Sequence, residues 1–437
     1  MAEHLFSFLE FLDDVLWSYV TLTAILLSGT YFTIKSRFYQ IKVLFNIKKH
    51  FRSLIADADA TKAGVHPIKL YFASLGGSVG IGNLVAIMST VTIGGPGSLV
   101  WLWIAAFIGM IIKYSEIYLG TKYRKKNNKN GYDGGPMYYL REVLGNNSLP
   151  IIFSILFCIY GAEVSQFLII TDTFVHTFNL NRIFVIAVLL VMVLFSALGG
   201  VKRLANICSV LLPPFLLLYV VFALIIFISH YEKIPALLAT ILSSAFVGHA
   251  PVGGFIGSTM LLAAHYGVSR AVYSGDIGIG YDSTVLSESQ SEHPEKQARM
   301  AIFGLFADAI LCTFSVLIVL LTDVWTITGI QLSDYIILAL STVIPHAHIF
   351  MSIVFFVAGF LTITGYLVTG QKCASFIHAK YGRIIYVVYA TCSFIVFSFH
   401  DQSAVMLVMS VSGGLLLSLN LIGLLKLRKH IKFPEND

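Results

Sequence analysis

Long apolar stretches separated by short polar ones run the length of the chain, and most are apolar on every face rather than on one stripe. A helix that crosses a hydrocarbon layer about 30 Å thick needs roughly 20 mostly apolar residues. Eleven stretches qualify: 15–34, 67–93, 96–120, 149–176, 183–199, 205–230, 237–265, 299–322, 347–370, 383–399 and 403–425. Gln331 to Val343 is apolar but short and reads as an interfacial helix. The pattern predicts an all-α polytopic membrane protein with a single transmembrane domain over residues 1–437.

Two of the stretches are poor helix. The second carries Gly76, Gly77, Gly80 and Gly82 near its middle, and the seventh carries Pro251 beside Gly248, Gly253 and Gly254. Proline removes a backbone donor, and glycine costs about 1 kcal/mol against alanine inside a helix, so each run is expected to break its span. Glycine also permits close helix packing. The matched placement of two runs favours breaks, which membranes tolerate only where protein or a water-filled cavity satisfies the backbone. The second stretch opens a set of five (67–230) and the seventh opens another five (237–425). Five is odd, so the second set enters from the opposite side, giving a 5+5 inverted repeat preceded by one extra helix (15–34). The freed amides of the first break would face a substrate carboxylate, with Ser78, Gly80, Ile81, Gly82 and Asn83 as its lining. So many glycines favour a small substrate.

Charge supplies orientation. With loops placed alternately on two sides, one side collects the clusters Lys35 to Arg52, Lys122 to Lys129, Lys202 with Arg203, Lys372 to Arg383 and Lys426 to Lys432. It also collects Arg270, Lys296 and Arg299, while the other side has only Arg182 and Lys233. Basic residues are retained in the cytoplasm, so the N-terminus is expected outside and the tail 426–437 inside.

Composition agrees: 57% of the residues are apolar and 12% charged, too little polar surface for a soluble globule of 437 residues. The net charge of +6 lies in short clusters between spans, so no nucleic-acid partner is expected. The five cysteines are scattered singletons, which predicts neither a disulfide frame nor a metal site. The acidic start, Met1 to Asp14, lacks the basic region and cleavage site of a secretory signal, so the first span is expected to be retained.

Several motifs fall in one order. Gly80-Ile-Gly-Asn83, Gly94-Gly-Pro-Gly97 followed by Trp101 and Trp103, Lys113-Tyr-Ser-Glu116 and Gly134-Gly-Pro-Met-Tyr-Tyr139 are followed by Gly200-Val-Lys-Arg203, Ala245-Phe246, Gly253-Gly-Phe255 and Tyr266-Gly-Val-Ser-Arg270. Over about residues 65 to 375 this series resembles the alanine/glycine:cation symporter family. The resemblance implies the LeuT fold with one extra N-terminal helix, a bacterial inner-membrane location and uptake of alanine or glycine with sodium. It places substrate contacts at Gln166, Phe246, Gly253, Gly254 and Phe255, besides the first break. It assigns the sodium ion to the Thr362 hydroxyl with backbone of the first break at Gly77 and Gly80. Leu361 stands where the family commonly has a second hydroxyl, and Glu163 where it usually has asparagine. Gly275-Asp-Ile-Gly-Ile-Gly280 replaces the family's Asn-Glu-Ala-Gly-Leu-Gly. Proton coupling is the alternative these departures raise, since oxygen ligands hold hard cations.

Charged groups inside spans are costly and read as functional by default. Lys113 and Glu116, three apart on one helix, are expected to pair with each other. Glu163 lies one turn from Gln166 on the same face and could bind a proton, a cation or a substrate ammonium. It could equally be a protonated acid bonded to a carbonyl. His249 is either a titrating group in the second break or a hydrogen-bond filler. Asp308 and Asp172 read as interface or gate groups, and Asp276, Asp282 and Glu288 as a cytoplasmic stretch where Asp276 could gate. No His-Glu-x-x-His is present, nor a Gly-x-Ser-x-Gly with a His partner, which argues against an intramembrane hydrolase. No repeated filter or charged ring argues for a channel. The expected partners are the small solute and the bilayer, a monomer suffices, and no organic cofactor is called for.

Overall fold

The apolar runs become helices nearly everywhere, because in lipid every backbone amide must be satisfied within its own segment. A computed structural model describes residues 2–56, 63–128, 130–250, 252, 255–400 and 403–434. The first span, Phe6–Lys35, comprises α1 (Ala2–Val15), a π-helical turn (Leu16–Thr21) and α2 (Leu22–Lys35). Two short helices follow, α3 (Tyr39–Phe45) and α4 (Ile47–Ala56). The next span is α5 (Pro67–Ser78), a 3-10 turn (Ile81–Asn83) and α6 (Met88–Thr92), bent by 56°. Then come α7 (Ser98–Lys122), a hairpin of β1 (Lys125–Lys126) and β2 (Tyr132–Asp133), α8 (Pro136–Tyr139) and α9 (Arg141–Leu144). α10 (Ser148–Tyr160) and α11 (Val164–Phe178) share one span. α12 (Arg182–Ala197), α13 (Gly200–Ser229), α14 (Ile234–Val247), α15 (Met260–Gly275) and α16 (Tyr281–Leu286) lead to α17 (Pro294–Leu321). The chain closes with α18 (Leu332–Ser341), α19 (Ala347–Ile377), α20 (Gly382–Phe397) and α21 (Ser403–Lys426).

Among the described residues, seven helical spans are long and apolar enough to cross a membrane, or eight with the bent pair counted as one. α12, α18 and α20 are apolar but shorter. Burial separates centre from rim: 83% of the apolar stretch of α19 and 78% of that of α7 is buried, against 28% for α13. α7 and α19 therefore form the middle of the bundle, and α13 shows most of its surface to the surroundings. Helix starts are written locally. The His66 side chain accepts from the Ile68 amide with Pro67 in the first position of α5, Asn181 caps α12 through the Ile183 and Phe184 amides, and Thr259 caps α15 through the Leu262 amide.

Two spans differ from the sequence expectation. The stretch expected as one helix over 149–176 is interrupted at Gly161 to Glu163, where Glu163 takes a left-handed conformation (φ 52°). The stretch expected over 237–265 is not one helix with a break in its middle. α14 stops at Val247, the chain turns through short bridges pairing His249 with Ser258 and Val252 with Phe255, and a second helix, α15, begins at Met260. Pro251, Gly253 and Gly254 lie outside the described residues, as does Lys129 of the basic clusters. The interruption inside the second half comes later, between α15 and α16. There Asp276 (φ 52°), Gly278 (φ 78°) and Gly280 (φ 107°) all adopt positive φ, which no helix accommodates. Arg270 consequently sits within α15 and not in a cytoplasmic loop, a correction to the charge count.

Candidate functional site

At the first break the backbone leaves the helix at Val79 and extends at Gly80 (φ −114°, ψ −165°). Its freed groups are taken up one by one. The Gly80 amide donates to Asn83 Oδ1 at 3.0 Å, and the Ile81 amide donates to Gln166 Oε1 at 3.3 Å. Gln166 Nε2 donates to Glu163 Oε2 at 2.9 Å, so the interruption in the α10–α11 span aims its acid at the same place. From α19, the Thr362 hydroxyl donates to the Gly76 carbonyl at 3.3 Å. A Cβ on Gly80 would stand 2.5 Å from Thr362 Oγ1 and 2.9 Å from Gln166 Oε1. One on Gly77 would overlap the Tyr281 ring, and one on Gly82 would meet the Tyr273 ring at 3.2 Å. Ser78 turns its hydroxyl back to the Ser74 and Leu75 carbonyls, and Ile81 contributes its amide while its side chain is buried.

These groups enclose a cavity of about 20 Å³, the room of a single water. Gly77, Ser78, Gly80, Gly82, Glu163, Gln166 and Thr362 line it, as expected, together with Tyr160, Tyr273, Ser274 and Tyr366, which sequence reasoning missed. Phe246, His249 and Phe255 are not part of it. Phe246 is 57% exposed beside the Trp101 ring, and His249 packs against Phe255 and Trp325 with its Nδ1 on the Ala250 carbonyl. The reason is the early end of α14, which leaves its loop against Gly95 at the far end of α6. Gly253 and Gly254 lie outside the described residues.

The second interruption packs against the first. The Tyr281 hydroxyl donates to the Ala73 carbonyl at 2.7 Å and Ser74 donates to Asp282 Oδ1 at 2.6 Å. Asp308 on α17 receives Asn83 Nδ2 at 2.5 Å and Ser274 Oγ at 3.3 Å, tying the two together. Asp276 accepts from the Tyr366 hydroxyl at 2.6 Å, and its other oxygen has no hydrogen-bond partner among the described residues. Lys113 and Glu116 do not pair with each other. Lys113 forms a buried ion pair with Asp282 and donates to the Gly275 carbonyl at 2.5 Å, while Glu116 Oε1 receives Ser283 Oγ at 2.7 Å. The freed carbonyl at the end of α15 and a carboxylate across the break outbid a neighbour on the same helix. Asp172 pairs with Arg182 at 2.8 Å near the surface.

A fit for a small hard cation rests on two oxygens brought together here, the Thr362 hydroxyl and the Gly76 carbonyl. Leu361 packs against Gly76, its Cδ1 3.6 Å from where a Cβ would be, so that side supplies carbon rather than a third oxygen. The sequence signal that would have placed the second interruption was present in Gly278 and Gly280, two glycines beside an intramembrane acid.

Residues 2–434 match the sodium:alanine symporter family. An uncharacterized transporter of Haemophilus influenzae is 31% identical over 99% of this chain and 95% of its own length. The sodium/alanine symporter AgcS of Methanococcus maripaludis is 26% identical over 96% of this chain and 94% of its own. A solved Na+-coupled sialic acid symporter superposes with a TM-score of 0.58 over 94% of this chain and 86% of that one at 15% identity, a likeness of fold. Its apolar spans and these matches make the chain a multi-pass membrane protein of transporter fold, and it belongs to the sodium:alanine symporter family.

Proposed function

We propose that the chain is a secondary carrier that imports a small neutral amino acid, alanine or glycine, in symport with sodium. The observation that carries this reading is Gly80, whose extended backbone lies between the Gln166 carboxamide and the Thr362 hydroxyl with no room for a side chain. Amide groups at a half-helix end suit a carboxylate, and the carbonyls released beside them suit a cation. The Methanococcus relative, a sodium/alanine symporter by name, supports that assignment. In this reading eleven spans form a 5+5 inverted repeat behind one extra helix, with α15 and α16 together as the seventh span. The N-terminus lies outside, the C-terminus in the cytoplasm, and the membrane is a bacterial inner membrane.

A specific observation favours proton coupling as the second reading. Glu163 is buried, bonded to Gln166 and on the wall of the site, while Leu361 removes an oxygen from the cation side. Uptake of labelled alanine, glycine and serine into proteoliposomes under separate sodium and proton gradients decides between them. Accumulation driven by sodium alone supports the first reading, and accumulation driven by a proton gradient and lost in Glu163→Gln supports the second. If neither gradient concentrates any of the three, symport of small amino acids is wrong.

A further inference from the structure

Beside the small cavity lies a larger, partly open one of about 310 Å³, lined by the N-terminal span, α15 and α21 with Ala86 and Ser165, and sharing Tyr160, Glu163 and Tyr273 with the small one. One of its walls is the π-helical turn, which places Trp17 and Ser18 on the cavity, with the indole anchored on the Ser410 carbonyl at 3.2 Å. Such turns inside α-helices gather at functional places. Facing them is Arg270. Its guanidinium makes no hydrogen bond or ion pair among the described residues, and only Nε is fully enclosed, so the two terminal nitrogens open onto the cavity. The Tyr266 ring lies 6.0 Å from it, too distant for close stacking. Asp13 on α1 is the acid whose charge reaches Arg270, yet the two form no ion pair, and Asp13 Oδ1, beside Ser410 and Trp17, is buried with no hydrogen-bond partner among the described residues.

Guanidinium has five donors and no acceptor, and inside proteins such a group is normally paired. A fork with open donors, separated by a gap from an acid on another helix, fits a ligand that carries both charges. We propose that this cavity is a vestibule subsite for an amino-acid zwitterion, with the carboxylate held by Arg270 and the ammonium turned to Asp13. This rests on the carrier reading above and deepens it: the cavity of one water at Gly80 cannot hold an amino acid without opening, whereas the vestibule already can. Glu163, common to both cavities, stands where the ammonium would pass from one to the other.

The test is equilibrium binding of labelled alanine to the full chain in lipid nanodiscs with sodium. Arg270→Gln should weaken binding about tenfold or more, the scale of a lost charge-assisted pair, and Arg270→Lys should recover part of it. Alaninamide, which lacks the carboxylate, should fail to compete. Gln166→Ala should abolish uptake while leaving Arg270-dependent binding in place. Unchanged affinity in Arg270→Gln, equal competition by alaninamide, or complete loss of binding in Gln166→Ala overturns the subsite. Should Arg270→Gln not fold, Met406→Trp fills the cavity from α21: reduced binding supports the subsite and unchanged binding overturns it. If the wild type binds no alanine, the alanine assignment fails separately, and the other nineteen amino acids are titrated. Arg270-dependent binding of any of them upholds the subsite, and none overturns it.

Discussion

A Cβ on Gly80 would collide with Thr362 Oγ1 at 2.5 Å and Gln166 Oε1 at 2.9 Å, so Gly80→Ala forces apart the two side chains that meet the first break. Overpacking of this kind costs about 1–3 kcal/mol, and uptake in proteoliposomes should fall about ten- to a hundredfold. Gly304→Ala is the matched control: an added Cβ meets no atom of the described residues within 4 Å, and uptake should be unchanged with stability altered by no more than about 1 kcal/mol. Thr362→Ala removes one of the two oxygens at the cation side, and the sodium concentration for half-maximal uptake should rise about tenfold. Unaltered sodium dependence would remove Thr362 from the ion site. Gln166 and Thr362 were legible in the sequence because motif order fixes their place relative to Gly80. The partners of Lys113 were not. A spacing of three residues makes Glu116 its local neighbour, but Asp282 and the Gly275 carbonyl are brought to it by contacts more than 160 residues away in sequence, which no local rule contains.

At the scale of elements, the glycine run at 76–82 was read correctly as a break, because several glycines followed by a capping asparagine have no better use inside an apolar span. The run at 248–257 misled by the same rule. It is just as rich in glycine and proline, but it follows a short helix whose last residues, Phe246 and Val247, are exposed at 57% and 86%, so it joins two helices instead of breaking one. The interruption in the second half uses only Gly278 and Gly280 with a left-handed Asp276, a weaker signal in the sequence. It is held by Lys113, and there a prediction follows. Lys113→Met leaves Asp282 buried and unpaired, which should lower stability by about 3–5 kcal/mol, read as a fall in melting temperature of the detergent-purified chain. Lys113→Met with Asp282→Asn removes both charges and should regain much of that loss. No recovery in the double variant would show that the pair is not the source of the effect.

For the molecule as a whole, apolar length gave the membrane class, readable because lipid acts on averages over many residues, and the charge asymmetry between loops predicts an orientation. Arg270, which lies within α15, drops out of that count, and the other basic clusters keep their places in it. Orientation is checked by cysteine labelling in whole cells, in a chain with Cys392 replaced by serine. A cysteine at exposed Lys233 should react with an impermeant maleimide and one at exposed Lys126 should not; the reverse pattern would invert the topology. The segment Gly76 to Asn83 gives its carbonyl at Gly76 to α19 and its amide at Ile81 to α11, so two helices hold opposite edges of one short piece of backbone. If an ion tightens one edge and a solute the other, each works on a segment the other has already ordered. Thermodynamic reciprocity then fixes a number in advance: whatever factor sodium gives to solute affinity, the solute must return to sodium, and two titrations of the same purified chain have to agree.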